Sequence, residues 1–284
     1  MIITNKDNVI DFKQSFKKLE LSKETKNIIN KNNINIKDIV IGEFSGRDSA
    51  AAIIKAMENE NINIVLPIVA FTGTDYGDLD IFYKNWNVTN KRINDLYNNN
   101  SNNNSNKTLL PLHFIFEPTL WSILNGRFAV MLFKKYNYYS PCISCHFYFR
   151  IVRIPIAKQL GNKIICGERI NHDNSFKIDQ FKEAIELYHK LCNNFNVKLI
   201  SPIKNIKNGE EIKEIISYKW EQGENQFSCV FSGNYKDKNG EVLFDKESII
   251  NILNNFTYPS CCEILKNGYK NNFDYFNIVK KFIE

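Results

Sequence analysis

At 284 residues, with 43% hydrophobic and 24% charged side chains, the chain can bury a sizeable core, which excludes a disordered tail, a collagen-like fibre and a small disulfide-stapled module. No run approaches the roughly 20 apolar residues that span a bilayer. The opening MIITNKDNVIDFKQSF lacks the basic-then-apolar pattern of a secretory leader, so a soluble cytoplasmic protein with no membrane partner is expected. A net charge of +6 suits a polyanion, but heavy lysine and asparagine use raises charge by itself and does not choose the partner.

Residues 1–36 are expected to form a polar helical segment, with SKETKNIINKNN supplying an N-cap-like serine and an asparagine-rich stop. KDIVIGEF (37–44) is a β-branched apolar run that suits a buried parallel strand. It leads into Ser45-Gly46-Arg47-Asp48-Ser49, a helix over AAAIIKAMENE and a second buried run, INIVLPIVAF (62–71). Strand, loop, helix and strand in that order spell a βαβ unit.

A helix over about 80–98 runs into an asparagine/serine tract expected to be a solvated loop. Further strands are expected at 109–116, 163–168 and 197–203, and helices at 120–136, 178–192 and 209–220. HFYFRIVRIPIAKQLG reads as a helix interrupted at Pro155 and ended by Gly161. The alternation predicts an α/β class with a doubly wound, mostly parallel sheet flanked by helices over 37–220. Residues 221–284 are expected to be a helical C-terminal extension packed on that domain, too short for a core of its own without a metal.

Two features carry chemistry. A short glycine-containing loop between a buried strand and a helix N-terminus gathers unpaired backbone N–H groups, and the helix dipole adds to them, so 45–49 is a candidate phosphate site. Ser45 and Ser49 supply hydroxyls, Arg47 a guanidinium for phosphate oxygens, and Asp48 a helix cap or a magnesium contact through water. A Walker A loop is excluded, since no G-x-x-x-x-G-K-[ST] occurs. The seven cysteines are unevenly spaced: Cys142 and Cys145 form a C-x-x-C, Cys261 and Cys262 are adjacent, and Cys166, Cys192 and Cys229 stand alone. Cys166 and Cys192 are expected to be core packing, whereas the C-x-x-C suits a metal, a cluster or redox chemistry.

EFSGRDSAAAI resembles the loop of the PP-loop ATP pyrophosphatases, a strand followed by S-G-G-x-D-S, with Arg47 standing where the second glycine and the variable position would be. The resemblance implies the fold of the adenine nucleotide alpha hydrolases, with ATP and Mg2+ as ligands. Phe44 to Ser49 would cradle the phosphates, and Phe71-Thr72 at the end of the second strand would hold the adenosine. ICGERINHDNSFKIDQ (165–180) resembles the family's later nucleotide loop, where Gly167 would let the backbone approach, with Asp173 and Lys177 as magnesium and phosphate candidates. His172 is either a proton shuttle or a polar loop residue, and Glu168 and Arg169 are expected to pair with each other.

Pro141-Cys142-Ile143-Ser144-Cys145-His146, followed by Arg150 and Arg153, resembles the C-x-x-C segment of the iron–sulfur tRNA thiolation enzymes that make 2-thiocytidine and 2-thiouridine. Phe227-Ser228-Cys229 falls where that group carries its third cysteine. The resemblance implies a [4Fe–4S] cluster on Cys142, Cys145 and Cys229, with one iron open to sulfide. The alternative is a closed structural zinc completed by Cys261 or Cys262. Arg150, Arg153 and Lys158 are either contacts to a polyanionic substrate or solvated positions on a helix face.

The function implied is an adenylating tRNA sulfurtransferase, with Asp48, Asp173 and Cys229 as catalytic candidates and tRNA and a sulfur donor as partners. A homodimer is compatible with the sequence. Two other classes compete: a zinc-stabilised PP-loop ligase or thiolase acting on a small molecule, and a non-catalytic nucleotide-binding module.

Overall fold

The computed structural model describes residues 6–99, 107–170, 176–218, 220 and 226–284. Its elements run in the order β1 (Val9–Ile10), α1 (Lys23–Lys31), β2 (Ile39–Glu43), α2 (Arg47–Asn59), β3 (Ile64–Phe71), β4 (Asp75–Tyr76), α3 (Asp80–Ile93), β5 (Thr108–Leu109), β6 (His113–Phe116), α4 (Pro118–Asn125) and α5 (Ala129–Tyr136). There follow α6 (Cys145–Ile151), α7 (Ile154–Gln159), β7 (Lys163–Ile165), α8 (Lys182–Asn194), β8 (Lys198–Ile200), α9 (Gly209–Ile216), β9 (Ser228–Cys229), α10 (Lys246–Ile252), α11 (Tyr258–Tyr269) and α12 (Tyr275–Lys280).

Among the described residues a seven-stranded sheet runs β1-β6-β3-β2-β7-β8, with β5 also on β3, and all these pairings are parallel. The register places Ile39 opposite Ile64 and Glu43 opposite Ile68, while Ile41 meets Ile164 across the other edge of β2. Strand periodicity divides the core. Ile39, Ile41, Leu66 and Ile68 point to the face covered by α4 to α8 and α10 to α12. Val40, Val65 and Val69 point to the face covered by α2, α3 and α9. This is the expected doubly wound α/β architecture, with β2 buried along its whole length at its centre.

Several elements differ from the sequence reading. The opening segment is more than helical: Val9 and Ile10 pair with Phe114 and Ile115 as an edge strand. The run 109–116 splits into β5 and β6 around Pro111, which has no N–H to give a ladder. The helix expected over 120–136 breaks at Gly126, where the chain turns through Arg127 and Phe128 before α5 begins. The break after the C-x-x-C falls at Val152–Arg153 rather than at Pro155, because Pro155 sits in the first turn of α7, where its missing N–H costs nothing. The C-terminal helices bury Ile249, Leu253, Phe256, Leu265 and Val279 in the same core as the sheet. The asparagine/serine tract lies outside the described residues over 100–106.

Candidate nucleotide and thiol site

The chain leaves β2 for β3 on one side and returns to β7 on the other, so the strand order reverses at β2. Loops at the carboxyl ends of such a pair diverge and leave a crevice. A cavity of about 530 Å³ occupies that place, lined by residues 43–49 after β2, by Val69 to Phe71, and by Gly167 and Glu168 after β7.

One wall is built for an anion. Ser49 Oγ accepts the Ser45 N–H at 2.9 Å and donates to the Gly46 carbonyl at 2.7 Å, closing the loop as a tight ring. Asn85 Nδ2 donates to the Ser45 carbonyl from α3 at 3.1 Å. Gly46 is the N-cap of α2 and has no side chain to satisfy the first N–H groups, so these and the helix dipole face the cavity. Gly167 packs directly on this turn: a Cβ there would lie 2.8 Å from Ser49 N, so only glycine allows the approach. Lys177 adds a cation to the lining. Asp48 is not the open carboxylate expected of a magnesium contact, since Arg169 Nε holds it at 2.9 Å and Arg47 Nε lies 3.4 Å away. Asp173 and His172 lie outside the described residues.

Part of the lining is aromatic. Phe71, Phe82 and Phe227 form a cluster with ring centroids 4.9–5.6 Å apart, and Phe44 and Trp220 also line the cavity. Phe227 is seated on Gly77, where a Cβ would fall 2.9 Å from its ring and φ is +143°. Thr72 does not line the cavity. Its N–H and hydroxyl both donate to Asp75 Oδ2 at 2.7 Å, and Thr74 Oγ1 joins Thr72 Oγ1 to Cys229 Sγ at 2.7 and 3.2 Å.

The antiparallel pairing of β4 with β9 sets Asp75 opposite Cys229 and carries that thiol to the rim of the cavity, between lining residues Phe227 and Ser232. Cys142 arrives beside it: its Sγ lies 3.6 Å from the Phe231 carbonyl, while Phe231 N–H donates to Cys229 Sγ at 3.4 Å. Trp121, stacked on Phe231, donates to Cys145 Sγ at 3.4 Å. Two thiols from distant segments, Cys142 and Cys229, therefore meet at Phe231, and Cys145 touches the Trp121 ring stacked on it. Desolvation and then the Asp179 charge push Cys142 up to about 12, and burial raises Cys145 well above the ordinary thiol range. Cys262 stands apart on α11 with Asn194 Nδ2 at 3.9 Å, Cys261 is buried beside it, and Cys166 and Cys192 are core. Among the described residues no three His, Cys, Asp or Glu side chains are disposed around a single metal ion.

Behind both features lies a buried charge network. Arg150 and Arg153 are buried rather than solvated on a helix face, and of the two Arg153 lines the cavity. Arg150 pairs with Glu43 and Glu168. Arg153 donates to the Ile68 carbonyl at 2.7 Å, and burial lowers it to about 10 against the opposing pull of Glu43. Glu168 and Arg169 do not pair with each other: Arg169 goes to Asp48, and Glu168 to Arg150 and to His146 Nδ1 at 3.1 Å. His146 Nε2 meets Asp179 at 3.0 Å.

No family model matches the chain. Uncharacterized protein MJ0009 of Methanocaldococcus jannaschii is 61% identical over 279 residues, covering 98% of each chain. The chain belongs to the family of MJ0009. Among solved structures, a 4-thiouridine synthetase in complex with RNA and with bound ATP aligns over 86% of this chain at 16% identity and a TM-score of 0.46, and the chain spans about half, 53%, of that one.

Sequence reasoning did not single out Glu43, Gln180 or Trp220, all of which line the cavity; it marked Arg153 as a candidate contact to a polyanionic substrate, and it used His146 and Phe227 only as parts of the cysteine-bearing segments. Glu43 carried a signal, a carboxylate ending an otherwise apolar strand. Phe227 and Trp220 carried none, since an aromatic in a weakly periodic segment is indistinguishable from core.

Proposed function

We propose that the protein is a PP-loop ATP pyrophosphatase that adenylates a carbonyl oxygen, most readily that of a tRNA base, and replaces it with sulfur. The observation that carries this reading is a single crevice lined by a helix N-terminus without a side-chain cap and by an aromatic cluster, with the Cys229 thiol in the segment between lining residues Phe227 and Ser232. The resemblance of EFSGRDSAAAI to the PP-loop supports the same assignment.

In this reading the adenine lies against Phe71, Phe82 and Phe227, and the polyphosphate turns toward the N–H groups of residues 46–49. The substrate carbonyl oxygen attacks the α-phosphorus, and the bond to pyrophosphate breaks. Charge developing on the departing pyrophosphate is met by the helix terminus and by Lys177, donors already in place before the reaction. A sulfur nucleophile then adds to the activated carbon, and AMP leaves carrying the former carbonyl oxygen. Ser49, by closing the loop ring, keeps the N–H groups convergent, and the aromatic wall excludes water from the adenylated carbon. With Asp48 engaged by Arg169, magnesium would arrive with the phosphates and their waters, and Asp173 is the proposed protein contact.

Cys142, Cys145 and Cys229 are the ligands proposed for a [4Fe–4S] cluster, on the resemblance of the C-x-x-C segment and of Cys229 to the iron–sulfur tRNA thiolation enzymes. Cys142 and Cys229 meet at Phe231, whereas Cys262, a candidate fourth ligand for zinc, lies on α11 against Asn194. When bound, such a cluster supplies an open iron that can carry sulfide. Iron, acid-labile sulfide and zinc in anaerobically purified protein test the assignment. About four irons and four sulfides per chain are expected, lost in Cys142→Ala and Cys229→Ala. About one zinc and no sulfide would contradict it.

One observation favours a second reading, a small-molecule carbonyl substrate: the two arginines placed for a phosphate backbone are buried. Binding of bulk tRNA across salt concentrations separates the two. A steep fall in affinity with salt supports tRNA, and no measurable binding at low salt supports the small molecule.

A further inference from the structure

We propose that Arg150 is a positioning residue which, from the helix carrying Cys145, locks together the two loops forming the phosphate wall. The proposal rests on the nucleotide reading and deepens it, because it assigns the geometry of that wall to a side chain outside the motif.

Arg150 has no exposed surface. One terminal nitrogen reaches Glu43, the last residue of β2 and two positions before Ser45. The other reaches Glu168, next to Gly167. Among the described residues the ladder between β2 and β7 ends at Gly42 opposite Ile165, so beyond it no strand pairing holds the two loops in register. The planar fork of a guanidinium, with each arm on a different carboxylate, fixes both distance and orientation, which a point charge does not. Its own plane is set by the Tyr188 ring, 5.1 Å away. Glu168 is held from a second side by His146 Nδ1 at 3.1 Å. The consequence appears at Gly167, whose position against Ser49 leaves no room for a methyl group. A shift of the 167–168 segment therefore transmits directly to the N–H groups facing the phosphates.

Charge alone does not explain the arrangement. Two glutamates beside a polyphosphate site oppose anion binding by Coulomb repulsion. Their presence there makes sense as the two ends of a clamp.

The test is the affinity of the full-length protein for a non-hydrolysable ATP analogue, with thermal melting to verify folding. Arg150→Lys keeps the charge and loses the fork, and its Kd is expected to rise about tenfold or more. Glu168→Gln supplies an opposite sign: removing a negative charge from the wall would tighten binding if only charge mattered, whereas loss of the clamp weakens it about fivefold. Ile249→Ala, a buried change in α10 remote from the cavity, controls for general destabilisation and should leave the Kd within about twofold. Unchanged or tighter binding in the folded Arg150→Lys and Glu168→Gln proteins would overturn the clamp alone, as would equal weakening in Ile249→Ala. If Arg150→Lys does not fold, the sign of the Glu168→Gln effect decides. Failure of the unaltered protein to bind the analogue would overturn the nucleotide reading and the clamp with it.

Discussion

Gly167 is the residue on which the two halves of the phosphate wall meet. Replacing it with alanine places a methyl group 2.8 Å from Ser49 N, and neither backbone can yield without moving a strand end. Gly167→Ala is expected to lose about tenfold or more in nucleotide affinity and about 1–3 kcal/mol of stability, measured by analogue titration and urea unfolding. Ser49→Ala removes one hydroxyl that serves both Ser45 N and the Gly46 carbonyl. It should cost about 0.5–1.5 kcal/mol and weaken the same binding, since the freed loop no longer presents its N–H groups together. An affinity unchanged in Ser49→Ala would show that the ring is not what organises the loop. At this scale glycines and hydroxyls near a strand end can be read from sequence, because their local geometry is their role. Arg150 could not be: an arginine on a helix is ordinarily solvated, and its buried partners are distant in the chain, Glu43 107 positions before it and Glu168 past the end of β7.

Among the elements, β6 illustrates how a strand end can titrate. His113 is fully buried, accepts the Ser22 N–H at Nε2 and faces the Pro111 carbonyl with Nδ1, so it is held neutral. Burial lowers it to about 4, against an ordinary value near 6.5. Between those values the unfolded chain binds the extra proton and the folded chain does not, so stability rises with pH. His113 therefore contributes no penalty above about pH 6.5 and progressively destabilises the fold as pH falls toward 4, by about 3 kcal/mol in full. Urea unfolding at pH 5 and pH 7 should show that slope in the unaltered protein and a flatter one in His113→Gln. Equal slopes would contradict the assignment. The strand and helix types were legible because apolar runs and 3.6-residue stripes were long. Their breaks were less so: Pro111 and Gly126 interrupt elements whose apolar pattern continues across them, and Pro155 marks a helix start rather than a stop.

For the whole molecule, the doubly wound sheet was readable from the alternation of elements, and its centre from the uninterrupted apolar run of β2. Strand order was not, since nothing local says that β7 rather than β1 adjoins β2. The meeting of Cys229 with Cys142 depends on that order and on the short β4–β9 ribbon, a two-residue pairing with no periodicity to announce it. Among the described residues no helix is long and apolar enough to cross a membrane. In the proposed reaction ATP is cleaved between its α- and β-phosphates in the crevice, with the β,γ end held by the N–H groups of residues 46–49 and the α-phosphorus facing the substrate. The most direct measurement is the product pair formed from ATP labelled at the α-phosphate in one sample and at the γ-phosphate in another, each incubated anaerobically with the protein, sulfide and bulk tRNA. AMP and pyrophosphate in equal amounts, formed about tenfold or more slowly by Gly167→Ala at limiting ATP, are the result predicted. ADP and orthophosphate would contradict the account.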